Sequence, residues 1–149
     1  MQREFVMIKP DGVQRGLIGQ VFSRIEKAGL KIIAIKMLNV SQKQAKKHYA
    51  IHQGKPFYEG LIKFITSGPV VAFVVEGKDA IRHTRRLVGA TNPTDATPGS
   101  IRGDFALEIG RNVVHAGDSE ENALREVRIY FDDCELVSYK RIDEKWIYE

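Results

Sequence analysis

Val70-Val71-Ala72-Phe73-Val74-Val75 is the longest unbroken apolar run in the chain. A bilayer asks for about 20 such residues, so a run this short and this rich in β-branched side chains predicts a core strand rather than a membrane span. Ser67-Gly68-Pro69 breaks the chain before it and Glu76-Gly77 ends it. On its N-terminal side lies a helical segment carrying Phe57, Leu61, Ile62 and Ile65. Before that, Ser41-Gln-Lys-Gln44 has the spacing of a capping box and opens a helix with Ala45, His48, Tyr49 and His52, ending near Gly54. Two short helices thus form an inserted hairpin.

Further towards the N-terminus, Leu30 to Val40 is aliphatic and β-branched enough for a long strand. Leu17, Ile18, Val21, Phe22, Ile25 and Ala28 recur at helical spacing up to Gly29. Glu4 to Ile8 predicts the first strand, ended by the turn Lys9-Pro10-Asp11-Gly12, where Pro10 presets one torsion and Gly12 permits another. On the C-terminal side of Val75, Asp79 stands where it would cap a helix from Ala80 to Val88, closed by Gly89 and carrying Arg82, Arg85 and Arg86. A Thr- and Pro-containing loop runs from Ala90 to Gly103. Ser119 then begins a helix with Ala123, Leu124, Val127 and Phe131 on its apolar side, broken at Asp132-Asp133, and Glu135 to Tyr139 predicts a fourth strand.

That order of elements is two split βαβ units. It predicts an α+β sandwich: a ferredoxin-like, four-stranded antiparallel sheet with helices on its faces, in a single domain spanning 1–149. A chain of this length buries enough surface to need no staple, and its one cysteine, Cys134, excludes an intrachain disulfide. With no charged-then-apolar leader, the expected location is cytoplasmic. Lys and Arg exceed Asp and Glu by 23 to 19, a net charge of +4. This mild excess suits small anions such as phosphates but lacks the single-sign stripe of a dedicated nucleic-acid binder.

Chemistry concentrates at Ile109-Gly-Arg-Asn-Val-Val-His-Ala-Gly-Asp-Ser119, which holds one of four histidines. The β-branched Val113 and Val114 favour an extended approach, and His115 then meets the small residues Ala116 and Gly117 before a helix start. A rigid yet reachable imidazole is what a nucleophile or general base requires. The loop preceding it is long for a compact domain, and Thr91, Thr94, Thr97, Ser100 and Arg102 offer donors suited to an anion. His48 and His52, four apart, share a helix face, but no metalloprotease-type glutamate accompanies them, so a solvated face is expected there. No Gx4GK[ST] phosphate loop occurs. A ferredoxin-like domain binding RNA or a nucleotide without catalysis is the rival reading, although Val70 to Val75 lacks an RNA-recognition aromatic pattern apart from Phe73.

Lys9-Pro-Asp-Gly-Val, Gly68-Pro-Val-Val, Thr91-Asn-Pro, Ser100-Ile-Arg-Gly-Asp-Phe and Asn112-Val-Val-His-Ala-Gly-Asp-Ser together resemble nucleoside diphosphate kinase, over essentially the whole chain. The resemblance implies ping-pong transfer of a γ-phosphoryl group from a nucleoside triphosphate to a nucleoside diphosphate through a phosphohistidine at His115. A phosphohistidine that passes its group to a protein is a secondary alternative. The resemblance places Lys9, Tyr49, Arg85, Thr91, Arg102 and Asn112 around the phosphates, sugar or histidine. Phe57 matches the residue stacked on the base, and Glu126 the carboxylate that orients the histidine. It further implies Mg²⁺ carried by the nucleotide phosphates, without a protein metal site. The ending Trp146-Ile-Tyr-Glu149 resembles the C-terminal segment of hexameric members, so a homo-oligomer is expected, a hexamer rather than a tetramer. Two positions depart from the pattern: Gly117 stands where a serine is usual, and Ile51 where an acidic residue is common. A water is expected to take the place of the missing serine hydroxyl.

Overall fold

The computed structural model describes residues 1–149. Four strands form one antiparallel sheet: β1 (Gln2–Ile8), β2 (Lys31–Leu38), β3 (Val70–Gly77) and β4 (Val114–Ala116), in the spatial order β2-β3-β1-β4. The seven helices are α1 (Pro10–Gln14), α2 (Ile18–Lys27), α3 (Gln42–His48), α4 (Tyr58–Ile65), α5 (Ala80–Val88), α6 (Ile101–Phe105) and α7 (Glu120–Tyr130). This is the predicted ferredoxin-like α+β arrangement, with α3 and α4 as the inserted hairpin.

β3 decides the architecture because both its faces are buried. Side chains alternate across a strand, so Val70, Ala72 and Val74 enter one core with Phe5, Met7, Ala45, Ile62, Ile65, Val127 and Tyr130. Val71, Phe73 and Val75 enter a second core with Val6, Ile8, Val21, Ile25, Ala80, Val88 and Ile101. The hairpin and α7 cover the first face, and α2 and α5 the second. No helix is long and apolar enough to cross a membrane.

Three local expectations are corrected. The fourth strand is Val114–Ala116, not Glu135 to Tyr139. It occupies the open edge of β1 with Val6 opposite Ala116, Met7 opposite His115 and Ile8 opposite Val114. Residues 135–139 instead lie along β2, where the Val137 amide donates to Ile33 O (2.8 Å) and the Tyr139 hydroxyl to Ile32 O (2.8 Å). A register shift between Ile32 and Ala34 interrupts the regular spacing a further strand would need there. Lys9 to Gly12 is the start of α1 rather than a bare turn, with Pro10 at the first helical position, where its missing N–H costs nothing. Asp79 precedes α5 in the left-handed region (φ 51°) and makes no side-chain cap. Ser41 and Ser119 do cap as their spacing predicted, accepting from the amides of Gln44 and Asn122.

Candidate active site

β4 presents His115 on the sheet face that α7 covers. Two residues earlier on the approach, Val113 is fully buried at φ 73°, a conformation that β-branched residues rarely adopt. Two bonds hold it there: its amide donates to Asp11 Oδ2 (2.9 Å) and its carbonyl accepts from the Lys9 amide (2.9 Å). A Cβ on Gly12 would come within 2.9 Å of that same carbonyl, so α1 can approach only because residue 12 is glycine. The kink carries a torsional cost of about 1–3 kcal/mol and aims the imidazole by backbone geometry rather than by side-chain choice.

Glu126, on α7 and 4% exposed, accepts a hydrogen bond from His115 Nε2 at 2.8 Å. A carboxylate is acceptor-only, so this contact puts the proton on Nε2 and leaves the lone pair on Nδ1. His48 lies behind them, with its ring centroid 4.5 Å from that of His115. Burial, and after it the nearby His115, holds His48 well below the usual imidazole range, so it is neutral. Its Nδ1 is hydrogen-bonded to the Tyr130 hydroxyl (3.0 Å), and its Nε2 lies 3.8 Å from Glu126 Oε1. The nitrogens of the two histidines and a Glu126 oxygen lie within 4.8 Å of one another. Of the two histidines only His115 is hydrogen-bonded to Glu126, and His48 Nε2 is buried without a hydrogen-bond partner.

The solvated-face expectation for His48 is therefore overturned. Spacing of four places two residues on one helix face only while the helix lasts, and α3 ends at His48. His48 turns inward beside Ala45, 3% exposed, whereas His52 belongs to the following 3₁₀ turn and stays partly exposed. Tyr49, its hydroxyl pushed up to about 12 by burial and then by Glu126, packs 4.7 Å from the His48 ring. Phe57 is 52% exposed at the start of α4, edge-on to His52 at 5.3 Å. The hairpin thereby lines one side of the cleft with rings that end in an open aromatic face.

The opposite side is cationic. Lys9 Nζ donates to Asn112 Oδ1, and Asn112 Nδ2 donates to Thr91 O (2.9 Å), so the long loop is tied through Asn112 to the residue that follows β1. Burial pulls the Lys9 ammonium down to about 8, against the opposing pull of Asp11. Arg85 Nη1 donates to Ala116 O (3.3 Å). Arg102 is 4% exposed and spans three carbonyls, those of Val114 (2.7 Å), Gly89 (3.1 Å) and Asn112 (3.4 Å). Burial, then Arg85, lowers its guanidinium to about 10. Of the predicted residues, Lys9, Thr91, Arg102 and Asn112 form one hydrogen-bonded set around β4, while Tyr49 and Phe57 arrive from the hairpin. Arg102 supports the backbone under the site more than it faces the cleft.

Sequence reasoning missed the Phe64 platform, which has the Arg111 guanidinium carbon 4.0 Å and Lys9 Nζ 5.6 Å from its ring centroid. It also missed Tyr130 and Glu4. The one signal available was Glu4 itself, a lone acid opening an otherwise apolar strand. The residue at position 51 is an exposed isoleucine, so no carboxylate enters the cleft there.

The family model that matches, described as nucleoside diphosphate kinase, covers residues 2–136. A curated nucleoside diphosphate kinase of Archaeoglobus fulgidus is 60% identical over all of this chain and 99% of its own length, and that of Methanosarcina barkeri is 61% identical over the full length of both. Among solved structures, a halophilic nucleoside diphosphate kinase of Halobacterium salinarum in complex with CDP superposes with a TM-score of 0.97 at 50% identity, over 99% of each chain. A transition-state mimic of the Borrelia burgdorferi enzyme with bound vanadate and ADP gives 0.90 at 46% identity, over 96% of this chain and 94% of that one.

Proposed function

The chain belongs to the nucleoside diphosphate kinase family and is a phosphotransferase acting on nucleotides, and from that premise we propose that His115 carries the phosphoryl group. The observation that supports this most directly is the 2.8 Å bond from His115 Nε2 to Glu126, which leaves Nδ1 as the free lone pair. In the first half-reaction Nδ1 attacks the γ-phosphorus, the N–P bond forms, and the bond to the β,γ-bridging oxygen breaks with its electron pair leaving on the diphosphate. The imidazole gains positive character as it does so, and the Nε2–H to Glu126 bond strengthens to meet it. The second half-reaction is the same step run backwards onto a different nucleoside diphosphate.

Lys9, Arg85 and Arg111 are proposed to counter charge on the phosphate oxygens, Thr91 and Tyr49 to position phosphate or sugar, and Phe57 to stack on the base. Asn112 and Arg102 hold the loop and β4 in place. Mg²⁺ is proposed to arrive on the nucleotide phosphates: Glu126 is committed to His115, and position 51 offers no oxygen ligand. Bound there, the ion would neutralise β- and γ-oxygen charge. The protein is further proposed to be cytoplasmic and a homo-oligomer, hexameric by its C-terminal segment. Exposed Ile35 and Met37 on the edge strand β2, with Val137 beside them, support self-association. The family assignment displaces the non-catalytic RNA- or nucleotide-binding reading.

Incubation with γ-labelled ATP tests the proposal. The expected product is a labelled protein that is alkali-stable and acid-labile and is discharged by added nucleoside diphosphate. Label that survives acid would point to a different acceptor.

The aromatic face at Phe57 carries no base-edge donor of its own and every base has a π-face, so A, G, C and U diphosphates are expected to differ by less than about 100-fold in kcat/KM. Phe57→Ala should raise KM for all of them together by about 5- to 100-fold, because stacking contributes about 1–3 kcal/mol. A loss confined to one base would contradict this reading.

A further inference from the structure

His48 and Glu126 each keep a coordinating atom that His115 does not engage. His48 Nε2 is buried and has no hydrogen-bond partner. It lies 3.8 Å from Glu126 Oε1, and Arg125 Nη2 stands equally far from that oxygen, both too distant for hydrogen bonds. His115 Nε2 is 2.8 Å from the other carboxylate oxygen, Oε2. The spacing of His48 and His52 provides no glutamate for a metal, but α7 brings one across the fold. One donor atom from each of His48, His115 and Glu126 lies within 4.8 Å of the other two. A zinc ion with bonds of about 2.0–2.1 Å holds tetrahedral donors roughly 3.3 Å apart, a spacing inside the range of this trio. Small turns of the Glu126 carboxylate and the His115 ring bring the three donors to it.

We propose that His48 Nε2, His115 Nε2 and the Glu126 carboxylate form an inhibitory site for a late first-row divalent cation, with zinc as the type case. Two histidines and a glutamate are a zinc donor set that leaves a fourth position for water. The His115 side chain is 24% exposed, so that position opens on the cleft and the ion enters from there. The hydroxyl of Tyr130, one helical turn beyond Glu126 on α7, lies 3.0 Å from His48 Nδ1. A hydroxyl accepts as well as donates, so a proton on Nδ1 has its partner and the Nε2 lone pair is left for the metal, as in imidazoles oriented by an outer hydrogen bond. Phe5 stacks on the Tyr130 ring, 4.9 Å between centroids, and fixes it. Mg²⁺ demands octahedral oxygen ligands and keeps its waters, so the ion carried by the nucleotide does not compete for two imidazoles.

The inhibition rests on His115 as the phosphoryl carrier, because it acts through the tautomer of that ring. A neutral imidazole has one bare nitrogen and one N–H. A metal on Nε2 takes the bare position: the Nε2 proton leaves to water and Nδ1 takes one up from water. The ring stays neutral, and no lone pair remains at Nδ1 to attack phosphorus. The same ion occupies the Glu126 oxygen that otherwise meets the imidazole as positive charge develops on it.

Calorimetric titration of the nucleotide-free protein with zinc alone tests the site directly, and one ion per chain is expected to bind. His48→Asn keeps a group for the Tyr130 hydroxyl but lacks Nε2, and Glu126→Gln removes the anionic ligand. Each should weaken binding at least about 100-fold, and Tyr130→Phe about tenfold, since outer-shell changes alone cost 10- to 100-fold. Co²⁺ in place of zinc should give the strong visible absorption of a four- or five-coordinate site, absent in His48→Asn. Single-turnover labelling is then measured with Mg²⁺ in excess and free zinc held by a chelator buffer, because the nucleotide also binds zinc. The rate should halve near the calorimetric dissociation constant and recover with EDTA. For His48→Asn, scaled to its own zinc-free rate, half-inhibition should move upward by the same factor as binding. Equal zinc affinity in wild type and His48→Asn, or equal half-inhibition in the two, would overturn the site. Should His48→Asn fail to fold, unchanged zinc affinity in Glu126→Gln and Tyr130→Phe would overturn it instead. Absence of acid-labile label on the zinc-free wild-type protein would remove the carrier on which inhibition stands, and the calorimetry would still decide the site.

Discussion

Replacing His115 with alanine is expected to leave a folded protein that forms no phosphoenzyme and turns over at least about 1000-fold more slowly. The imidazole side chain keeps 24% of its surface in solvent, so its removal opens a wet notch rather than a core cavity. Glu126 loses its 2.8 Å partner, but water can reach the vacated place, and His48 and Arg125, each 3.8 Å from Oε1, remain. The neighbouring histidine does not substitute for it. His48 has its Nδ1 committed to Tyr130 and its other nitrogen turned to the Glu126 side of the cluster, without access to the cleft. Circular dichroism and a melting curve establish that the variant is folded, and the labelling assay then decides. Acid-labile label on the folded variant would remove His115 as the carrier.

The second large effect falls on stability. Arg102→Ala is expected to destabilise the fold by about 3 kcal/mol or more, since it strips the donor from two buried carbonyls and one part-buried carbonyl. For a chain of this size that is roughly a 6–12 °C fall in melting temperature. Those carbonyls belong to Gly89 at the end of α5, to Asn112 before the kink and to Val114 in β4, so the loss loosens the joint between helix, loop and β4. Turnover should fall with stability, even though the guanidinium does not face the cleft. Arg102→Lys retains the charge but replaces a planar fork with a single ammonium, and an intermediate loss is expected. A melting temperature within about 2 °C of wild type for the alanine variant would show that water satisfies the carbonyls and that Arg102 is not the joint described.

Most of the architecture was legible because its signals are local. The run Val70–Val75, the capping residues Ser41 and Ser119, and the breaks at Gly29 and Gly89 depend on neighbours a few residues away, and they fall where their spacing predicts. The resemblance marked His115, Glu126, Asn112 and Lys9, and the fold brings these four to β4. Other features depend on what lies across the sheet. Glu135 to Tyr139 has a strand's composition, yet the open edge of β1 goes to a segment of only three residues, because pairing is decided by register and by which edge is free. His48 has a surface residue's spacing and a core residue's environment, a difference set by where α3 stops.

Glu4 marks the boundary between the two kinds of information most sharply. In sequence it is an acid opening a strand, and Gly117 is a missing hydroxyl, 113 residues apart; in space Glu4 Oε1 accepts from the Gly117 amide (3.1 Å) and stands where a Cβ at 117 would go. Which nitrogen of His115 keeps the lone pair, whether Arg102 faces ligand or backbone, and what fills the space at Gly117 are all questions of distance between residues remote in the chain. The order of residues determined most of the helices, the first three strands and the motif that marks His115, because helical and strand periodicity and short motifs are properties of adjacent residues. The tautomer and the partners of buried charges were decided only by tertiary structure, because hydrogen bonds and desolvation act over a few ångströms of space and are indifferent to separation along the chain.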